Sequence, residues 1–440
     1  MINKINDLVS LIPANIKDTG KMNLDVKSCA GRINLEGFNA EYFYWFFESR
    51  TAKGNSNVSE IPIVIWLNGG PGSSSSVGLF LENGPFKFSG DNLISNPFSW
   101  NEKVHLMYWD QPVGTGYTTG STYVKSETEI SEIFYQALVN FFDMHKEYVN
   151  CPLYITGESY AGKYVPYIAS QISKKGLLNF QGLAIGDGWM KPKMQIQQQI
   201  IYGYEMGFLD SKEYAILNER FSIFSEKLRE IEHMPSPTKQ QWREVVEFGN
   251  SITQDILSFG GNPDIYDVRR WSDVSLTTLK TYLNMPAVKE ILHVPENVSW
   301  KCSDDEGLVY ENLIADNMID VPDSLFLSLL EENKVLFYTG NFDMSCGYTG
   351  TEIMLDQINF NGEWNKLPRK IWGYKGGLTF GYTKTLGNLS QAVIPNAGHL
   401  VPVSKPQISK EMLYTWIFND TFPGYYPLTK KELEEPISIK

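Results

Sequence analysis

The chain is poor in residues that hold metals. Its 440 residues include only four cysteines, Cys29, Cys151, Cys302 and Cys346, and five histidines. No two cysteines form a C-x-x-C pair, so a zinc site is not expected, and nothing else in the sequence asks for a metal or a cofactor. No run of about 18 apolar residues occurs, so no membrane-spanning helix is expected. Basic residues are in deficit: 38 Lys and Arg stand against 51 Asp and Glu, for a net charge of −13. That balance disfavours nucleic acid and anionic membranes as partners. The opening MINKINDLVSLIPANIKDTGK has neither an apolar core nor a small-residue cleavage site, so no secretory signal is expected in this chain. Internal repeats and low-complexity tracts are absent as well.

What is present is apolar and aromatic. Hydrophobic residues make up 42% and aromatics 13%, enough for a large globular core. The length suggests two domains or one large α/β domain with an insertion. Short apolar runs at 41–49 (EYFYWFFES), 61–68 (IPIVIWLN) and 103–110 (KVHLMYWD) predict strands. IPIVIWL is apolar on both faces, as a central parallel strand is. A helical pattern at 127–148, a strand at LYIT and a helix over 160–174 follow. In that helix Val165, Ile168, Ala169 and Ile172 share one face. A strand over 180–188 continues the alternation, which predicts a doubly wound, mostly parallel sheet. Between 189 and 325 the texture becomes polar and helical, and predicts a cap inserted into the sheet domain. The core, 1–188, resumes over 326–440 with strands at 333–343 and 390–399 and a helix at 406–418.

A strand, then GESYAG, then a helix is the setting of a nucleophile elbow. The chain must turn sharply there for the Ser159 hydroxyl to stand clear of the sheet. Gly157 and Ala161 keep bulk out of the turn, although the generic pattern has glycine where Ala161 stands. An activated serine needs a base, and the base needs a carboxylate to orient it. Of the histidines after Ser159, His233 falls in the helical insertion and His293 follows a helical run. His399, in the loop NAGHLVP, can reach over the sheet edge. Asp343 ends a core strand ahead of it; Asp356 follows no strand. The developing oxyanion needs backbone N–H donors. Tyr160, after the serine, offers one, and Gly70 in WLNGGPGSSS the other. That glycine loop lacks the G-K-[ST] ending of a phosphate cradle.

With these residues in place, the chain resembles the serine carboxypeptidases, an α/β-hydrolase family. FYWFFES, WLNGGPGSSS, ENGPF, NPFSWN, DQPVGTGY, GESYAGKYVP, LNMPAVKEILHV and NAGHLVP carry the resemblance, in the family's order. It implies a serine-type carboxypeptidase that releases C-terminal residues from peptides and proteins through an acyl-enzyme, favoured at acidic pH. An acyltransferase on the same scaffold is the alternative. It implies Ser159, Asp343 and His399 as the catalytic triad, with Gly70 and Tyr160 as oxyanion donors. Asn68, Gly69, Glu82 and Glu158 would bind the substrate's terminal carboxylate. Relatives act as secreted or acidic-compartment enzymes, and a monomer or homodimer is expected. Because this chain carries no evident signal, a cytoplasmic place stays open.

The sequence also departs from the family. The residue after GGPG is Ser73 where cysteine is usual, so the family's bridge to Cys302 cannot form. Cys346 matches a free cysteine found near the active site of some relatives. Leu400 follows the histidine where methionine is common.

Overall fold

The computed structural model describes residues 7–14, 21–52, 57–272, 274–304, 307–419 and 421–426. Parts of the opening stretch read for a signal, at 1–6 and 15–20, lie outside the described residues, as do Asp305 and Glu306. The described strands are β1 (Leu8–Pro13), β2 (Lys21–Leu35), β3 (Ala40–Phe47), β4 (Ile63–Leu67), β5 (Phe86–Ser89), β6 (Asn92–Ser95), β7 (His105–Trp109) and β8 (Thr119–Gly120). They continue with β9 (Leu153–Glu158), β10 (Phe180–Gly186), β11 (Lys334–Gly340), β12 (Lys370–Gly373), β13 (Thr379–Leu386), β14 (Leu389–Ile394) and β15 (Gly424–Tyr425).

One mixed sheet runs β1-β2-β3-β7-β4-β9-β10-β11-β14-β13-β12-β15, with β8 beside β3, while β5 and β6 form a separate hairpin. Its middle, β7-β4-β9-β10-β11-β14, is parallel throughout. These are the strands legible as apolar runs; β4 is buried at every residue. The two arms are antiparallel. Apart from β3, which is buried at all but one position and reads as an apolar run, they gave a weaker signal because an antiparallel strand can leave one face to solvent. In β13, for instance, buried positions alternate with more accessible ones before the strand ends half-buried.

Helices α1 (Ser76–Leu81), α2 (Glu127–Met144) and α3 (Ala161–Lys175) connect the early strands. The predicted stripe of α3 is fully buried, and Gly176, left-handed at φ 64°, ends the helix. This side of the sheet also holds Phe326, Leu329, Met354 and Leu355. The opposite side holds Met412, Leu413 and Trp416 of the helix Pro406–Phe418. After Gly188 come α4 (Pro192–Glu205), α5 (Ser211–Glu232) and α6 (Lys239–Phe259), which share an apolar cluster of their own. Capping boxes at Asp210–Glu213 and Thr238–Gln241 set the starts of α5 and α6. Among the described residues of 189–325 the only strand-like pairing is an isolated bridge from Lys301 to Gly116.

All four cysteines are buried and free. Ser73 follows a loop held in part by the Ser74 N–H donating to the Cys302 carbonyl at 3.0 Å, a tie that needs no bridge. Thiol titration of the unfolded chain without reductant is therefore expected to count four groups, and dithiothreitol should leave Tm unchanged. A count of two would show a disulfide.

Asp110, just past β7, is fully enclosed. Its carboxylate accepts from the Ser74 hydroxyl at 2.5 Å and the Tyr117 N–H at 2.9 Å. Burial outweighs those bonds and pushes its pKa up to about 6. The folded chain thus holds a proton that the unfolded chain has lost, and this contribution fades as pH rises from about 4 to about 6. His105, buried and pushed down to about 4, acts in the opposite sense, so the overall profile does not isolate either group. The stability difference between wild type and Asp110→Asn is the measure. It should shift against the wild type by on the order of 3 kcal/mol across that window, read by denaturant unfolding at each pH. A constant difference would refute it.

Candidate active site

The β4–β9 pairing fixes the geometry. Leu67 stands opposite Gly157, so the segments leaving both strands emerge side by side at their carboxyl ends. Ser159 leaves β9 with φ 62°, the strained left-handed turn that lifts its side chain off the sheet. Its N–H donates to the carbonyls of Gly186 and Asp187, and its carbonyl accepts from Gly162 and Trp189. The turn is tight: a Cβ on Gly157 would come within 2.6 Å of the Ala161 methyl and 2.7 Å of the Leu67 oxygen. The methyl of Ala161 thus occupies space that Gly157 leaves, which accommodates the departure from the generic pattern.

The segment after β4 lies against this turn. A Cβ on Gly69 would sit 2.4 Å from the Tyr160 nitrogen. The N–H groups of Gly70 and Tyr160 make no hydrogen bond among the described residues. Asn68 is locked by two donors to its Oδ1, Trp66 Nε1–H and the Gly78 N–H, each at 2.9 Å. Its amide then donates to Glu82 at 3.1 Å and to Glu158 at 3.0 Å. Both carboxyls are buried, and each has one oxygen with no partner apart from the other carboxyl. A hydrogen bond between the two requires one to hold a proton. Burial pushes Glu82 up to about 7, against the pull of its bonds to Glu158 and Asn68 and of nearby His399. Glu158 is raised further, first by burial and then by the charge of Glu82.

From the other half of the chain, β11 delivers Asp343 and β14 delivers His399. His399 Nδ1 meets Asp343 Oδ2 at 2.8 Å, and Asp343 also accepts from the N–H groups of Ser345 and Cys346. His399 Nε2 is buried and has no partner among the described residues, so no hydrogen bond joins it to Ser159. The other candidates stand elsewhere. His233 is exposed at the end of α5, the His293 Nδ1–H donates to the Ala30 carbonyl at 3.0 Å, and Asp356 pairs with Lys384. Cys346 is buried beside Asp343 and His399, and burial raises its thiol pKa, which keeps it protonated.

Two further residues join the site unforeseen. Asp187 follows β10 in the left-handed region and accepts from the Gly340 N–H at 2.9 Å. Burial, and then the neighbouring Asp343, push its pKa well up. Its sequence signal was an acid just past a core strand. Tyr266 lies in the loop that follows α6. Its carbonyl accepts from the His399 N–H at 2.7 Å, and its ring lies 4.9 Å from the imidazole. No local pattern marks such a loop tyrosine.

Two cavities open on this cluster. One, of about 350 Å³, is lined by Asn68, Gly69, Gly70, Glu158, Ser159 and His399, among others. The second, of about 330 Å³, is lined by Gly70, Ser159 and Tyr160 together with residues of α4 and α6. Of the residues expected to form the site, Glu82 and Asp343 line neither; Glu82 backs Asn68, and Asp343 stands behind His399.

Comparison with known proteins places this geometry in context. A family profile described as serine carboxypeptidase matches residues 19–419. Serine carboxypeptidase S10 family member 1 of Dictyostelium discoideum is 32% identical over 90% of this chain and 97% of its own length. Serine carboxypeptidase-like 48 of Arabidopsis thaliana is 32% identical over 86% of this chain and 75% of its own. Among solved structures, a prohormone-processing carboxypeptidase from Saccharomyces cerevisiae superposes with a TM-score of 0.76 at 23% identity, covering 89% of this chain and 92% of that one. The fold is that of the α/β hydrolases, and the chain belongs to the serine carboxypeptidase family.

Proposed function

We propose that the protein is a serine-type carboxypeptidase acting on the C-termini of peptides and proteins. One observation carries this reading: a pair of buried carboxyls, bridged by the Asn68 amide, stands beside a strained serine and a carboxylate-held histidine. The serine and histidine suit acyl transfer in general. The carboxyl pair supplies the exopeptidase feature. While both stay protonated, Glu82 and Glu158 present a neutral group that can donate to a substrate's terminal carboxylate. Two ionised carboxylates would repel it.

In this reading Ser159 Oγ attacks the last peptide carbonyl while His399 Nε2 takes its proton. Asp343, bonded to Nδ1, holds the imidazole in the tautomer that leaves Nε2 basic. The N–H groups of Gly70 and Tyr160 receive the oxyanion. His399 returns the proton to the leaving amine, the C-terminal amino acid departs, and water activated by His399 cleaves the acyl-enzyme. Proton transfer requires Ser159 and His399 to close to hydrogen-bond distance, a tightening common when substrate binds. Residues 189–325 act as a cap that walls the substrate path.

Release of the free C-terminal amino acid from a blocked dipeptide tests the reaction. Ser159→Ala should lower kcat by about 10⁴-fold or more and abolish fluorophosphonate labelling. Retained hydrolysis would mean another nucleophile. A labelled enzyme that moves the acyl group to an added alcohol or amine but never to water would favour the acyltransferase.

The carboxyl pair sets a pH dependence. In acid both carboxyls stay protonated and the pair is neutral; Glu82 gives up its proton as pH rises past about 7, and the pair turns anionic. KM for peptides should therefore be low and flat below pH 6 and climb by tenfold or more, roughly, by pH 8. Glu158→Gln should flatten that rise. A wild-type KM that stays level from pH 4 to 8 would remove the pair from substrate binding.

A further inference from the structure

The two cavities differ in polarity, and the difference assigns a substrate class. This step rests on the carboxypeptidase reading and refines it. Asn68, Gly69 and Glu158 line the first cavity, so the leaving residue, which owns the terminal carboxylate, places its side chain there. Ser159 and Gly70 line both cavities, so the second receives the penultimate residue, whose carbonyl is attacked.

The first cavity carries an apolar wall of Val77, Leu81, Val274, Leu276, Leu400 and Val403. Its charges beyond the catalytic cluster are already matched. Asp264, almost wholly buried, is bound by Arg270 at 2.8 Å, and Asp267 is held by two nitrogens of Arg269 at 2.6 and 2.7 Å. A cationic leaving side chain would have to displace one of these arginines, and an anionic one would meet the two aspartates. An apolar side chain gains from leaving water with no such competition.

The second cavity is lined by no Asp, Glu, Lys, Arg or His. Trp189, Ile196, Leu257 and Ile265 give it apolar surface, and α6 contributes Asn250, Thr253 and Gln254. Its deepest amide, Gln199, is spoken for at both ends: it donates to the Ser345 carbonyl at 2.8 Å and accepts from Thr253 at 2.5 Å. A charged penultimate side chain would therefore be desolvated without a counter-charge, which is strongly unfavourable. Neutral polar and apolar side chains escape that penalty. We infer that the enzyme is selective for peptides ending in an apolar residue preceded by an uncharged one. Leu276, Leu400 and Val403 determine the first preference, and the uncharged face of α6 the second.

A panel of blocked dipeptides varied at both positions tests this, with kcat/KM read for each. Release of Leu, Ile, Met or Phe should exceed release of Lys, Arg, Asp or Glu by roughly tenfold or more. The same margin should separate penultimate Leu, Phe or Gln from penultimate Lys, Arg, Asp or Glu. Two variants at accessible positions add a charge that the wild type lacks: Gln254 is exposed, and Val403 is 37% exposed. Gln254→Glu should raise kcat/KM selectively for penultimate Lys and Arg, and Val403→Asp for terminal Lys and Arg. Fastest cleavage at charged residues, or variants that leave both ratios unmoved, would overturn this assignment while the carboxypeptidase reading stood. Release of no residue from any peptide would overturn both.

Discussion

The parallel pairing of β4 with β9 is the constraint on which the site depends. The chain runs out along β4, crosses to β7 on one side, and returns as β9 on the other. Strand order reverses at that point, and open α/β sheets leave a crevice beyond the carboxyl ends of the two diverging strands. Because Leu67 faces Gly157, the residues that follow, Asn68–Gly69–Gly70 and Glu158–Ser159–Tyr160, must share that crevice. Gly69 meets the serine turn at a distance no side chain would allow. A slip of one residue in this register would turn the side chains of one strand to the opposite face. It would also part the proposed nucleophile from both its proposed oxyanion donor and its carboxylate grip.

The second organising feature is how acid groups are stored in a dry interior. An isolated carboxylate is expensive to bury. Here Glu82 leans on Glu158, Asp187 stands by Asp343, and Asp110 rests on hydroxyl and backbone donors. In the first two cases burial keeps a proton in place beside a second acid, while Asp343, which accepts three donors, holds His399. One chemical group thus serves opposite ends by environment alone: a neutral pair suited to receive an anion, and a carboxylate suited to orient an imidazole.

A loop between α6 and β11 ties the two ends of the site together. Segment 264–270 reaches back over the sheet, where the Ile265 carbonyl accepts from Met344 and Ser345 and the Tyr266 carbonyl accepts from His399. Asp343 and His399 follow different strands, β11 and β14, and this one strand-free stretch braces both. The loop at Ser74 and the segment at Cys302 are joined through a backbone bond and through Trp300, whose indole donates to the Ser74 hydroxyl at 3.0 Å.

Much of this was readable in the chain. The parallel strands announced themselves because burial on both faces demands unbroken apolar runs. Ser159, His399 and Asp343 were findable because each leaves such a strand through a glycine-bearing or polar loop. Of the antiparallel arms only β3, buried on both faces, was legible, since one-sided burial leaves a faint pattern in the others. Nor were Tyr266 and the shape of either cavity, for their neighbours come from segments more than a hundred residues apart. Sequence alone determined the local elements and the kinds of chemistry at hand, because periodicity and turn residues act over a few positions. Tertiary structure alone decided which acids lie side by side in the dry interior and which side chains wall each cavity. Those outcomes depend on distance and exclusion of water, and both arise only when remote segments pack.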